Sequence, residues 1–188
     1  GWLPPLLRAL DDDARLGAVG PLLLYPDTDR VQHCGIAFTP SLSTEHLYAN
    51  FPATHPAVAA RRPLQAITGA ALLMERTLFT DCGGFHEGYL NGSEDLELCW
   101  RIRERGLKVA CVSESRVYHL ESRTPGRRDH DAANAARLNR RCSGCFGPDL
   151  HKLARRDGFE LALTPWLETY LTLPPAREAE LLAVHADF

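Results

Sequence analysis

Near the start of the chain Leu6, Leu7 and Leu10 fall on one stripe at helical spacing, and Pro4 and Pro5 suit a first turn, so residues 3–12 are predicted to be a helix. A short apolar run at 19–25 reads as a buried strand, Pro26-Asp27-Thr28-Asp29 as a turn, and 31–38 as a second strand. The pattern then breaks. Residues 40–63 carry four prolines and mixed polarity, which predicts an irregular surface loop, one that faces substrate. Apolar character returns at 64–74, where β-branched Ile67 and Thr68 favour a strand. A short helix at 77–82 ends on Gly83, and a longer one at 93–105 starts at a cap on Asn91 or Ser93 and stops at Gly106. Two short strands follow, 108–112 and 116–120, then a polar, basic and mobile stretch at 122–128. An Ala-rich helix is predicted at 129–142, and from Gly147 loops lead to a last helix at 175–184. Mixed strand and helix order argues an α/β fold.

The length of 188 residues suits one domain and is enough to bury a core. A net charge of −3 gives no electrostatic case for a nucleic-acid partner or an anionic membrane. No run reaches the roughly 18 apolar residues of a membrane span. Of 21 basic residues only Lys108 and Lys152 are lysine, a bias of GC-rich bacterial genomes. Six cysteines lie mostly inside apolar stretches, as buried free thiols do, so the compartment reads as cytoplasmic. Cys142 and Cys145 form a Cys-x-x-Cys without the second pair that a zinc site would want, and read as helix-end packing.

The densest chemistry lies between 83 and 105. A Gly83-Gly84 turn runs through a loop into a helix whose first turn carries Glu94 and Asp95. Acids there complement the helix dipole by roughly 0.3–1 kcal/mol each, which accounts for their presence without any function. The same position also keeps a carboxylate ionised, as a general base must be.

Four segments in order carry a resemblance. Thr68-Gly69-Ala70-Ala71-Leu72-Leu73-Met74, Gly83-Gly84-Phe85, Glu94-Asp95-Leu96-Glu97-Leu98-Cys99-Trp100-Arg101 and Val117-Tyr118-His119 resemble, in order and spacing, the C-terminal portion of inverting glycosyltransferases of family 2, which have the GT-A fold. The resemblance covers roughly residues 1–146, leaving 147–188 as a C-terminal loop and helical extension. It implies a mixed sheet flanked by helices and transfer of a sugar from a nucleotide-sugar donor to a saccharide or lipid-linked acceptor. Asp95 would be the base that takes the acceptor hydroxyl's proton during in-line attack. Glu94 would bind or orient the acceptor, and Gly69, Ala70 and Arg123 would contact substrate. His119 would hold a divalent metal on the diphosphate; imidazole suits Mn²⁺ better than Mg²⁺. Arg127 and Arg128 stand beside Arg123 in the basic stretch.

The family's nucleotide-binding half, with its Asp-x-Asp metal motif, is not matched; Gly1-Trp2-Leu3 resembles residues just after that motif. Asp11-Asp12-Asp13 ends a helix and reads as surface acid rather than as a substitute. His86 stands where the family usually has Asp. The expectation is therefore a partial site. The chain alone should be inactive, should associate through its sheet edge, and should act at the inner face of the membrane through the rest of its protein. Asp95 and His119 should face one cleft. The competing reading is a non-catalytic carbohydrate-binding or protein-interaction module derived from the same fold.

Overall fold

A computed structural model describes residues 1–120, 126 and 129–178. α1 (Leu3–Asp12) leads into β1 (Leu16–Leu24), β2 (Val31–His33) and β3 (Ile36–Phe38). β4 (Thr44–His46), α2 (Pro56–Ala59), β5 (Leu73–Met74) and α3 (Arg76–Asp81) follow, then α4 (Glu94–Glu104), β6 (Lys108–Tyr118) and α5 (Asp131–Arg141). α6 (Leu150–Arg156) precedes an antiparallel pair, β7 (Glu160–Leu163) and β8 (Thr169–Thr172). The described residues form two compact units, one within Gly1–Ala37 and Glu45–Phe146, the other within Phe38–Thr44 and Gly147–Phe188.

The first unit is organised by β1, which has neighbours on both edges and is buried along nearly its whole length, with α1 and α4 packed on it. β6 runs parallel to it on one edge. The other edge is shared by antiparallel partners, β5 at Ala18 and Val19 and β2 at Leu23 and Leu24. The sheet is mixed, as the sequence implied. α1 lays Leu6 and Ala9 against Val19 and Val112. Full burial of a leucine such as Leu6 contributes about 1.5–3 kcal/mol. α4 closes in at Gly17, where a Cβ would lie 2.6 Å from Ile102 Cγ2.

Several expected elements change form, each for a local reason. The strand expected at 31–38 is broken between β2 and β3 at Cys34-Gly35: Gly35 has φ +130°, and a Cβ there would meet Leu64 Cδ1 at 2.4 Å. The stretch 40–63 is not merely surface loop. It contains β4 and α2, and Leu47, Tyr48, Ala53, Ala57 and Val58 are buried. Buried Arg62 gathers this segment by donating to the carbonyls of Ala57 and Ala60 and stacking over Tyr48.

The strand expected at 64–74 shrinks to β5, with single bridges from Leu64 to Val109 and from Ala66 to Ile36. The two strands expected at 108–112 and 116–120 are one strand, β6. The gap between them is where the ladder slips, pairing Pro21 with Val112 but Leu22 with Arg116. At this irregularity Ser115 is buried, and its hydroxyl donates to Trp2 O at 2.6 Å.

In the second unit, where loops were expected after Gly147, α6 and the β7–β8 pair appear. Leu150, Leu153 and Ala154 form the buried stripe of α6. Asp149 precedes it, accepting the Phe38 N–H at Oδ1 (2.8 Å) and donating its own N–H to Phe38 O (3.0 Å). Residues 175–178 are helical, and the remainder of the helix expected at 175–184 lies outside the described residues. So does the basic stretch at 122–128, apart from Gly126. Among the described residues no helix is long and apolar enough to cross a membrane.

Candidate active site

The acid pair is delivered by a loop held at both ends. Gly83 and Gly84 take left-handed φ of +79° and +62°, which a glycine turn permits. Arg101, two turns into α4, reaches back to the carbonyls of Cys82 and Gly84, the latter at 2.7 Å. His86 is accommodated by accepting the Gly88 N–H at 3.0 Å and setting its ring edge-on to Tyr89. At the far end Asn91 and Ser93 are also left-handed, at +59° and +75°. Such residues cost on the order of 1 kcal/mol or more each, so something must hold them. Buried Asn134 of α5 does so, donating to Leu90 O at 2.7 Å and accepting Leu90 N–H at 3.2 Å. Ser93 occupies the N-cap position of α4 but makes no side-chain cap, contrary to expectation.

Asp95 accepts from its own helix start, Leu96 N–H to Oδ1 at 2.8 Å, and from outside it, Gly69 N–H to Oδ2 at 2.8 Å. That second bond is one of three in a row. Ile67 N–H donates to Cys99 Sγ (3.5 Å), Thr68 N–H to His33 Nε2 (3.3 Å) and Gly69 N–H to Asp95. Asp95 and Cys99 are one helical turn apart and so share a face of α4. The amides of 67–69 thus bond to side chains instead of a strand neighbour, which is why the expected strand is lost there. Burial pushes the Asp95 carboxyl above its ordinary range; the Gly69 amide pulls against this, and the Glu94 charge adds to the rise. Glu94 presents an oxygen, Oε2, that is buried and has no hydrogen-bond partner among the described residues. Burial lifts the Cys99 thiol to about 12, so it stays protonated.

Behind the acid pair, Glu97 is fully buried and satisfied. Arg141 binds it through both oxygens at 2.8 Å, Tyr89 OH donates to it at 2.7 Å, and Arg101 lies 3.7 Å away. Burial alone would raise this carboxyl, but the Arg141 and Tyr89 hydrogen bonds outweigh it and hold the group below its ordinary value. α4 and α5 are joined by this group, which fixes the helix that carries Asp95.

His119 follows β6, and its N–H donates to Leu24 O at the end of β1 at 3.1 Å. Gln32 Nε2 donates to His119 O at 3.1 Å, which orients the amide and leaves Gln32 Oε1 facing His119 Nδ1 at 2.7 Å. An amide oxygen cannot donate, so Nδ1 carries a proton. The next residue, His33, is fixed by the same logic. Its Nε2 accepts from Thr68, so Nδ1 carries the proton toward His46 Nδ1, 2.8 Å away. Burial, followed by the neighbouring His46 and His119 rings, drives His33 well below the ordinary histidine range, so it is neutral.

The predicted residues are therefore only partly gathered. Asp95, Glu94 and Gly69 meet directly at the start of α4, with Ala70 next in the same segment. His119 is connected to them through Gln32, His33 and Thr68 rather than by contact. Arg123, with Arg127 and Arg128, lies outside the described residues. Sequence reasoning passed over Gln32, His33, Cys99 and Asn134. A signal existed for the first two: a polar pair inside the apolar run 31–38.

With this geometry in place the comparisons are informative. A family model for glycosyltransferase-like family 2 matches residues 13–144, and the chain belongs to that family. Its mixed α/β sheet with helices is the GT-A-like architecture expected from the sequence. The chain is 30% identical over 126 residues to the O-antigen biosynthesis protein RfbC of Myxococcus xanthus, covering 64% of this chain and 10% of that protein. It is 29% identical over 166 residues to the N-acetylglucosaminyl-diphospho-decaprenol L-rhamnosyltransferase of Mycobacterium tuberculosis, covering 80% of this chain and 52% of that enzyme. The chain thus spans from a tenth to about half of these relatives. A crystal structure of GalNAc-T7 with UDP, GalNAc and Mn²⁺ aligns at 20% identity and a TM-score of 0.47, over 63% of this chain and 24% of that one.

Proposed function

We propose that this chain supplies the acceptor side of an inverting sugar transfer from a nucleotide-sugar to a saccharide or lipid-linked acceptor, with Asp95 as general base. The observation that carries this reading is the pairing at the start of α4. Asp95 is held by the Gly69 amide, and beside it Glu94 Oε2 has an unmet acceptor capacity. A sugar acceptor suits both: one of its hydroxyls donates to Glu94 while Asp95 removes the proton of a neighbouring hydroxyl, whose oxygen attacks the anomeric carbon as the bond to the diphosphate breaks. A carboxyl raised by burial is a stronger base than one in water, provided it is ionised at working pH. In-line attack on the face opposite the leaving diphosphate inverts the anomeric centre.

A divalent metal fits His119 in one respect. The Gln32 contact occupies Nδ1 and leaves Nε2 as the ring nitrogen that faces no partner in that contact, the atom that would bind an ion such as Mn²⁺. Among the described residues no group of three metal-binding side chains is assembled, so His119 contributes one ligand and the rest come from elsewhere. When bound, such an ion neutralises charge on the leaving diphosphate. The donor's base and ribose are assigned to a nucleotide-binding half outside these 188 residues, to which a sheet edge of this chain can pair. The names of two relatives, an O-antigen biosynthesis protein and an N-acetylglucosaminyl-diphospho-decaprenol L-rhamnosyltransferase, support a lipid-linked saccharide as acceptor.

The test is transfer in the complete enzyme, with the product's anomeric configuration read by NMR. An inverted linkage that disappears in Asp95→Asn supports the reading; a retained configuration, or full turnover in Asp95→Asn, overturns it.

A further inference from the structure

His33 is a buried titratable group to which the chemistry above gives no task. It is 1% exposed and lies on β2, remote in sequence from the acid pair. Both of its ring nitrogens are engaged. Nδ1–H points to His46 Nδ1 at 2.8 Å, and this contact sets the ring so that Nε2 faces the Thr68 N–H at 3.3 Å. The next amide along the chain is the one that donates to Asp95. Two consecutive peptide N–H groups are thereby tied to two different elements, one to β2 and one to α4.

We propose that His33 is a positioning residue for Asp95, acting through the backbone of Thr68 and Gly69. A peptide amide cannot aim itself; its direction follows from the peptides on either side. Ile67 N–H is held only by a thiol, a weak acceptor, at 3.5 Å. The imidazole nitrogen is the stronger anchor, and it is the one adjacent to Gly69. Releasing it lets the segment rotate, and the hydrogen bond at Oδ2 lengthens. This rests on Asp95 being the base, yet it concerns the carboxyl's environment and can be read without turnover.

Among the described residues, the side chains that act on the Asp95 carboxyl are Glu94 and the protonated Cys99 thiol, both on α4. None of these is altered by substitution at position 33, so a change in Asp95 reports the Gly69 amide. Glutamine is the conservative replacement, because its Oε1 sits near the position of imidazole Nε2. Asparagine is too short to reach Thr68.

The experiment is a carboxyl-¹³C NMR titration of Asp95 in the 188-residue chain, with hydrogen exchange at the Gly69 amide, in wild type, His33→Gln, His33→Asn and His33→Leu. In His33→Asn and His33→Leu the Asp95 midpoint is expected to rise by about one pH unit, the scale of a lost hydrogen bond to a charged group. The Gly69 amide should exchange at least tenfold faster. His33→Gln should stay near wild type in both. If His33→Leu fails to fold, the Gln and Asn pair decides the matter alone. An unchanged midpoint in folded His33→Asn, or equal shifts in the Gln and Asn variants, overturns the proposal. Loss of the base assignment shows up separately, as full turnover in Asp95→Asn.

Discussion

The Gly69 amide and the Asp95 carboxylate are 2.8 Å apart, so close that a Cβ on Gly69 would lie 3.2 Å from Asp95 Cβ and one of the two would have to give by a few tenths of an ångström. The glycine in the 68–74 segment is therefore favoured by close approach rather than by backbone conformation. Gly69→Ala should push the segment off Asp95. Turnover of the complete enzyme is expected to fall roughly ten- to a hundredfold, the range for misplacing a reacting group by a fraction of an ångström to one ångström. Steady-state kinetics with donor and acceptor varied separately check this; an unaffected kcat would show that the contact is dispensable.

Asp95→Asn keeps the shape of the carboxylate and removes its basicity. The expected loss in turnover is about 10²–10⁴-fold, as for other general bases. Donor affinity should change little, since the base serves the acceptor. Glu94→Gln should have the smaller effect on kcat and raise the acceptor KM. Parallel assays of the two variants separate proton removal from acceptor binding.

Glu97 is expected to matter for stability. Glu97→Gln removes a buried charge from two arginines and should destabilise the fold by about 3 kcal/mol, measurable by urea denaturation. The pH dependence has a definite sign. The folded carboxyl is held below its ordinary value of 4.5, so its contribution is present above that pH and is lost as pH falls through the folded value. Wild type should therefore lose stability on acidification below about 4.5, and Glu97→Gln should lose less. Asp95 has the opposite sign. Its raised carboxyl favours the fold when protonated and gives that contribution up as pH rises through its folded value. Equal acid sensitivity in wild type and Glu97→Gln would contradict the assignment.

A further expectation concerns the 188 residues on their own. With His119 as a single ligand among the described residues, a diphosphate–metal pair would be held mainly by water. Calorimetric titration with nucleotide-sugars and Mn²⁺ should show no binding in the micromolar range. Micromolar binding would mean that the nucleotide site has been assigned to the wrong place.

Much of the first unit was legible because its signals are local. The apolar stripe of α1, the glycine stop after α3 and the acid-rich start of α4 are each written within about ten residues. Residues 64–74 misled because an apolar, β-branched run looks the same whether its amides pair with a strand or with side chains; Cys99, His33 and Asp95 are 26 or more residues away from the amides they bind. Arg62 and Asn134 were missed for a related reason. Their partners are backbone carbonyls and amides, which leave no trace in a side-chain pattern. The serine-containing gap between the two expected strands is a register shift within the single strand β6, where the sequence pattern predicts two separate strands.

Phe38 and Asp149 exchange two backbone-anchored hydrogen bonds across 111 positions of sequence. On the ribosome the first partner is made long before the second. At synthesis rates of about 5–20 residues per second, residues 38–44 wait on the order of 5–20 s for the segment that completes their unit. During that interval the first unit's own strands on either side, β2 and the chain from Glu45 onward, can already pair. The short excursion between them is held in reserve as an open loop. Its closure waits for Asp149, the residue that binds both the N–H and the carbonyl of Phe38.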